Sequence, residues 1–346
     1  MNILKKLWLH SVRFYIRLGL FFYYKKVLVV NAEAIPKRKP ILFLSNHQNA
    51  LLDALLIATT CGRFCYFLTR ASVFTKPIVS KLLMSLQMFP VYRIRDGWSN
   101  LSNNNPIFET CTGLLKNNEA VAIFPEGSHN LKRTVRPLSK GFTRIVFDTL
   151  EKYPELDLQL VPIGLNFKHA ETFGDSCSIF YGNILSAKAY HNKDRNQSVV
   201  KLKYDVHNEI CQLTTHIESK DYENTLRRLK ELNADFLDPK SVNICIKNNF
   251  QPCEYKKAKK LSTVKSFLKF LLIINLIVPY SIWKLLIEPK ITEIEFVSTF
   301  RFAIAITLVP IWILAITIIL ASVAGFQLAV IYLIFVLGLA LFAVKA

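Results

Sequence analysis

Apolar positions fall into distinct regimes along the chain. Between residues 26 and 185 they come as short, nearly unbroken runs: Lys26–Val30, Ile41–Leu44, Phe64–Thr69, Ala120–Phe124, Leu158–Asn166 and Ser178–Tyr181. Runs this short predict buried strands. Ala50–Thr60, Pro77–Gln87, Phe108–Asn117 and Gly141–Glu151 lie between them and predict helices, the second with one buried face. Phe89–Arg95 predicts an extended segment ending in two arginines. Strands that alternate with helices imply an α/β fold, a mostly parallel sheet flanked by helices. Such sheets place ligands at the loops that follow strand ends.

The flanks follow other patterns. Residues 3–24 mix Leu, Trp, Phe and Tyr with Lys5, Lys6, Arg13 and Arg17. That predicts a basic amphipathic helix lying in a headgroup layer, an ordinary surface helix being the alternative. Arg17 interrupts the apolar run, which makes it a poor signal peptide. Residues 195–260 are polar and helix-rich, with an exposed amphipathic stretch at 226–232 and a basic cluster at Lys256–Lys260.

Phe302–Val344 then runs 43 residues without a charge. A single helix of that length would measure ~65 Å, about twice the ~30 Å hydrocarbon core of a bilayer. Two spans turning near Ala324–Gln327 are expected. Phe267–Ile287 is less regular, with Pro279 inside a charge-free core bounded by Lys269 and Lys284. It spans if the lysines snorkel and is re-entrant otherwise; spanning is the favoured reading. The expected division is 1–25, membrane-surface helix; 26–190, α/β domain; 191–260, helical cytosolic extension; 261–346, transmembrane region of two to three helices. Basic residues dominate everything before 261, so the positive-inside rule puts the α/β domain on the cytoplasmic face.

Composition narrows the partners. The net charge of +19 suits nucleic acid, acidic membranes or phosphorylated ligands. A positive mean hydropathy of +0.27 favours the membrane over nucleic acid. The seven cysteines show no CxxC pair or metal-like cluster, so all are read as reduced thiols.

Candidate chemistry sits at the strand ends. Asn46-His47 follows one strand, and Asp53 lies one to two helical turns on. An Asp bonded to one imidazole nitrogen leaves the other free to take a proton. The pair also fits a loop histidine beside a helix cap. Pro125-Glu126-Gly127-Ser128 follows another strand, where backbone N–H groups can face an anion; alone it equally fits a turn into a helix. Arg93 offers a phosphate fork or a solvated charge, with Arg95, Lys132 and Arg133 as secondary candidates for a phosphate or for CoA. Val161-Pro162-Ile163-Gly164 reads as strand and turn.

In this order and spacing, Asn46-His47 with Asp53, Phe89–Arg93, Phe124–Ser128 and Val161–Gly164 resemble the four sequence blocks of the glycerolipid acyltransferase family. The resemblance covers roughly residues 27–185. Five residues separate His47 from Asp53 where the usual block has four, which resembles the branch of fungal-type glycerol-3-phosphate and dihydroxyacetone-phosphate acyltransferases and their bacterial relatives. The resemblance implies that His47 is the general base and Asp53 its partner. It further implies that Asn46, Arg93, Glu126, Gly127, Ser128 and Pro162 bind or shape the site for substrate. No cofactor or metal is implied. An acyl thioester of CoA or acyl-carrier protein is the donor, and a glycerophospholipid precursor the acceptor. The first-ranked acceptor is 1-acylglycerol-3-phosphate, ahead of glycerol-3-phosphate or dihydroxyacetone phosphate. A non-catalytic lipid-binding protein on the same fold is the competing reading. A metal hydrolase using His47, Asp53 and His129 has poor ligand spacing.

Overall fold

The computed structural model describes residues 2–93, 102–251, 253, 255 and 262–345. Among the described residues, eight strands form one sheet: β1 (Lys26–Val30), β2 (Ile41–Ser45), β3 (Cys65–Arg70), β4 (Met88–Val91), β5 (Ala120–Ile123), β6 (Gln159–Phe167), β7 (Ser176–Tyr181) and β8 (Leu185–Ser186). Their order is β1-β7-β6-β2-β5-β3-β4, with β8 also paired to β6. The pairings of β6 with β7 and β8 are antiparallel and the other five are parallel, so β1, β7 and β8 run opposite to β2–β6 and the sheet is mostly parallel as expected.

Period-two alternation splits each central strand between two cores. Ile41 and Phe43 of β2 face one apolar cluster, while Leu42 and Leu44 face the other. The first cluster is covered by α1 (Ile3–Tyr23) and α2 (Ala50–Thr60). The second is covered, past α3 (Pro77–Ser85), by α4 (Asn105–Lys116), α5 (Gly141–Lys152) and α6 (Arg195–Leu213). Helices α7 (Tyr222–Glu231) and α8 (Pro239–Lys247) build a small core around Ile217, Leu229 and Val242.

One sequence expectation fails at α3. It has no buried residue, and Ile78, Val79, Leu82 and Met84 are exposed. Trp8 of α1 donates to Ser85 Oγ at 3.2 Å, so this apolar face adjoins the exposed Ile3, Leu4 and Leu7 of α1. The apolar period is real but serves an outward surface, shared with the basic N-terminal helix.

A second expectation fails at the cysteines. Cys245 and Cys253 are joined by a disulfide, whereas Cys61, Cys65, Cys111, Cys177 and Cys211 are free. The chain reverses after α8 through left-handed Asn249 and Phe250, which brings together two cysteines eight residues apart. Their spacing carries no motif.

The C-terminal helices are α9 (Ser262–Asn275), α10 (Ile277–Ser281), α11 (Val297–Ile306), α12 (Leu308–Val323) and α13 (Phe326–Lys345). Among the described residues, two continuous helices, Ile294–Val323 and Phe326–Lys345, are long and apolar enough to cross a membrane. They turn at Gly325, whose φ of 95° suits glycine, within the expected stretch. The region read as a third crossing is bent by 96° between Thr263–Asn275 and Ile277–Lys290. Pro279 cannot donate to the Asn275 carbonyl; instead Trp312 Nε1 donates to it at 2.9 Å. Pro310 likewise frees the Ile306 carbonyl, which accepts from Tyr15 O–H of α1. Tyr15, with Phe302 buried in the first core, fastens the C-terminal helices to the α/β unit, and Trp312 ties α12 to α9.

Gly164 shows why the fourth block carries a glycine. A Cβ there would lie 2.2 Å from the Leu213 carbonyl oxygen at the end of α6. At Gly182 the nearest atom, at 2.6 Å, is the mobile Cδ1 of the same leucine. Gly164→Ala is expected to cost ~1–3 kcal/mol or more, and more than Gly182→Ala, because backbone yields less than a leucine tip. Thermal unfolding of the two variants checks this; equal melts would contradict it.

Candidate active site

His47 leaves the end of β2 in a tight loop, and Ala50 at φ 38° turns the chain sharply into α2. That turn accommodates the five intervening residues and brings Asp53 back beneath the loop. His47 Nδ1 lies 2.8 Å from Asp53 Oδ2. The same oxygen accepts the backbone N–H groups of Gln48 at 2.7 Å and Asn49 at 2.8 Å. Asp53 is fully buried in the first turn of α2, where the helix dipole favours an anion. A carboxylate only accepts, so Nδ1 carries the proton and Nε2 is left as the base. The ring stacks on Phe124 with centroids 4.0 Å apart. Packing and hydrogen bonding therefore both fix the imidazole.

The third block braces this loop. Glu126 Oε1 accepts from the His47 backbone N–H at 3.3 Å, and Oε2 is paired with Arg136 Nε at 2.7 Å. The Glu126 side chain is only 3% exposed. Burial pushes its carboxyl above the ordinary range, and Arg136 opposes that shift. Arg136 also donates to Ser128 Oγ at 2.6 Å and to the Ser128 carbonyl. Asn130 N–H donates to the His47 carbonyl at 3.0 Å, so the two loops hold each other at both ends.

Several residues read as substrate contacts are engaged elsewhere. Asn46 spends its amide on the Leu165 backbone, giving a 3.0 Å bond and taking a 2.7 Å one. Glu126 and Ser128 are committed to Arg136 and the His47 loop. The Gly127 N–H, read as an anion donor, donates to the Phe124 carbonyl at 3.0 Å. Gly127 is needed for its left-handed φ of 74°. Pro162 is buried within β6 opposite Leu44, and its carbonyl accepts from Gly182, so it lines the sheet rather than a channel.

Among the described phosphate candidates, half-buried Arg93 places Nη1 3.5 Å from the Gly127 carbonyl, and the Lys132 carbonyl accepts from Gln48 Nε2 of the His47 loop at 3.4 Å. Arg133 instead donates to the Phe167 and Lys168 carbonyls and stacks on Phe236 at 3.7 Å. Burial lowers it to about 10. Lys132 Nζ lies over the Tyr222 ring at 5.3 Å. Arg95 and the Lys256–Lys260 cluster lie outside the described residues.

Sequence reasoning missed Arg136. Nothing marks it among the basic residues of 132–144, and it lies ten positions from its partner. It also did not anticipate what surrounds His129. That ring is edge-on to Phe296 at 4.8 Å and 5.5 Å from the ring of His47. His129, Glu293 and Glu295 place possible ligand atoms within 4.8 Å of one another, although acidic groups of this kind are common without an ion. The connection leading into α11 thus borders the His47 cleft.

Comparison with known proteins gives a family likeness for the domain that holds this site. The acyltransferase family model matches residues 26–166, which span β1 to β6 and hold His47, Asp53, Arg93 and Glu126. These residues are thus similar to an acyltransferase-family domain. Within it, the chain is 28% identical over 125 residues to glycerol-3-phosphate O-acyltransferase 1 of Saccharomyces cerevisiae. That match covers 33% of this chain and 16% of the yeast protein. An uncharacterized acyltransferase of Schizosaccharomyces pombe is 29% identical over 138 residues, 36% of this chain and 20% of that protein. The chain thus spans a fifth or less of these relatives. Among solved structures, the 1-acyl-sn-glycerophosphate (LPA) acyltransferase PlsC of Thermotoga maritima aligns with a TM-score of 0.41 and 16% identity, covering 59% of this chain and 80% of that one. Outside the acyltransferase domain, the helical extension and the apolar helices lie beyond the family match.

Proposed function

We propose that the chain is an integral-membrane acyltransferase that moves a fatty acyl group from a CoA or carrier-protein thioester to a hydroxyl of a glycerol phosphate. The observation that supports this best is the 2.8 Å His47–Asp53 pair inside the matched domain. Nε2 of His47 takes the acceptor hydroxyl proton as the oxygen attacks the thioester carbonyl. The carbon–sulfur bond breaks, and the imidazolium returns the proton to the departing thiolate. Asp53 stabilises the imidazolium. The acceptor oxygen is the nucleophile, so the chain needs no acyl-enzyme. Arg93 is the residue proposed to hold the acceptor phosphate. Glu126 and Arg136 are positioning residues that fix the loop.

The first acceptor is 1-acylglycerol-3-phosphate, in keeping with the apolar faces of α1, α3 and the C-terminal helices around the domain. A second reading, glycerol-3-phosphate, is favoured by the named yeast relative and by the five-residue spacing. In both, the α/β domain faces the cytoplasm. The test is acyl transfer by the full chain in detergent from labelled acyl-CoA, with 1-acylglycerol-3-phosphate, glycerol-3-phosphate and monoacylglycerol offered separately. Product from a phosphate-bearing acceptor alone supports the proposal and selects between the two readings. Equal transfer to monoacylglycerol would contradict phosphate recognition, and no transfer to any acceptor would contradict the reaction.

A further inference from the structure

A cavity of about 740 Å³ lies among α1, the bent α9–α10 pair, helices α11–α13 and the Glu171–Phe173 loop. Its volume is within the ~300–1,000 Å³ of ligand-binding pockets. None of His47, Asp53, Glu126 or Arg136 lines it. The α9–α10 pair on its wall is bent by 96°. The two carbonyls freed by Pro279 and Pro310 are already taken by Trp312 and Tyr15. The wall offers an apolar ligand hydrocarbon, including Leu272, Ile313 and Leu337.

Its charged residues are uneven in sign. Lys269, Lys284 and Arg301 line the cavity against one acid, Glu171. Lys284 is held by Glu288 at 2.6 Å, and Arg301 donates to the Glu171 carbonyl while lying 4.9 Å over the Trp283 ring. Cations among apolar helices are costly unless an anion or a polar headgroup meets them, and such residues mark ligand sites. We propose that this cavity binds an anionic glycerophospholipid, its acyl chain among α9, α12 and α13 and its phosphate at Lys269, Lys284 and Arg301. The proposal stands apart from acyl transfer at His47. The loop after β6 joins the two regions. Ala170 accepts from Asn49 Nδ2 of the His47 loop at 2.8 Å and from Ser298 Oγ of α11 at 2.7 Å, and the next three residues line the cavity.

Trp283, 4% exposed and on the cavity wall, is a built-in reporter. The full chain is placed in phosphatidylcholine nanodiscs containing an equal small fraction of either brominated phosphatidylglycerol or brominated phosphatidylcholine. The fluorescence quenching lost in Trp283→Phe isolates this site. The expected result is stronger Trp283 quenching by the anionic lipid. Lys269→Gln should cut that preference roughly fivefold, the equivalent of ~1 kcal/mol for one basic residue facing an anionic headgroup. Ala305→Phe, which fills the cavity, should remove quenching by both lipids; if that variant does not fold, Lys269→Gln decides alone. Equal quenching by the two lipids, no Trp283 component with either, or a preference unchanged in Lys269→Gln would each overturn the proposal.

Discussion

Asp53→Asn is expected to lower acyl transfer by roughly 10²–10⁴-fold while leaving the fold in place. A single carboxylate oxygen receives all three donors, His47 Nδ1 and the Gln48 and Asn49 N–H groups. An amide oxygen in the same position still accepts all three. Its NH₂ then occupies the place of Oδ1, which has no hydrogen-bond partner. The hydrogen bonds can survive, whereas the charge that stabilises the imidazolium cannot. Initial rates set beside a thermal melt separate these effects. A variant with wild-type rate would reduce Asp53 to a cap on the His47 loop.

Arg136→Ala is expected to be the most destabilising substitution near the site, at ~3–5 kcal/mol, the usual cost of leaving a buried charge without its partner. It strands Glu126, whose carboxylate is 3% exposed, and releases Ser128 at the same time. Burial already raises the Glu126 pKa, and removing Arg136 removes the main opposing influence. A protonated Glu126 needs no counter-charge. The deficit should therefore be largest at alkaline pH and narrow as pH falls through the raised pKa. Glu126→Gln in the Arg136→Ala background should recover part of the lost stability. Arg136→Ala melting like wild type at every pH would show that the pair does not brace the loop.

The sequence spoke most clearly where one physical rule decides. The unbroken apolar run at Ile41–Leu44 anticipated a buried strand, and the length of the charge-free C-terminal run required a turn, which falls at Gly325. The His47–Asp53 contact was legible because a loop followed by one helical turn limits where Asp53 can lie. What the sequence hid depends on distant partners. Arg136 looks like any basic residue until β5 and its following loop place Glu126 beside it. The apolar period of α3 is the same for a buried face and for an outward one, and only the neighbouring α1 distinguishes them. The third block read as a substrate cradle because its polar atoms were uncounted. Counting shows that Glu126, Ser128 and the Gly127 N–H are spent within the protein. Gly164 belongs to a block that aligns with the family, yet its requirement is packing against Leu213.

The measurement that tests the account most directly is transfer from labelled acyl-CoA by His47→Ala and wild-type protein, purified alike and matched by thermal melt. The account predicts that His47→Ala folds and loses about 10²–10⁴-fold in rate with whichever glycerol phosphate the wild type uses. A folded His47→Ala protein that transfers the acyl group at the wild-type rate would contradict it.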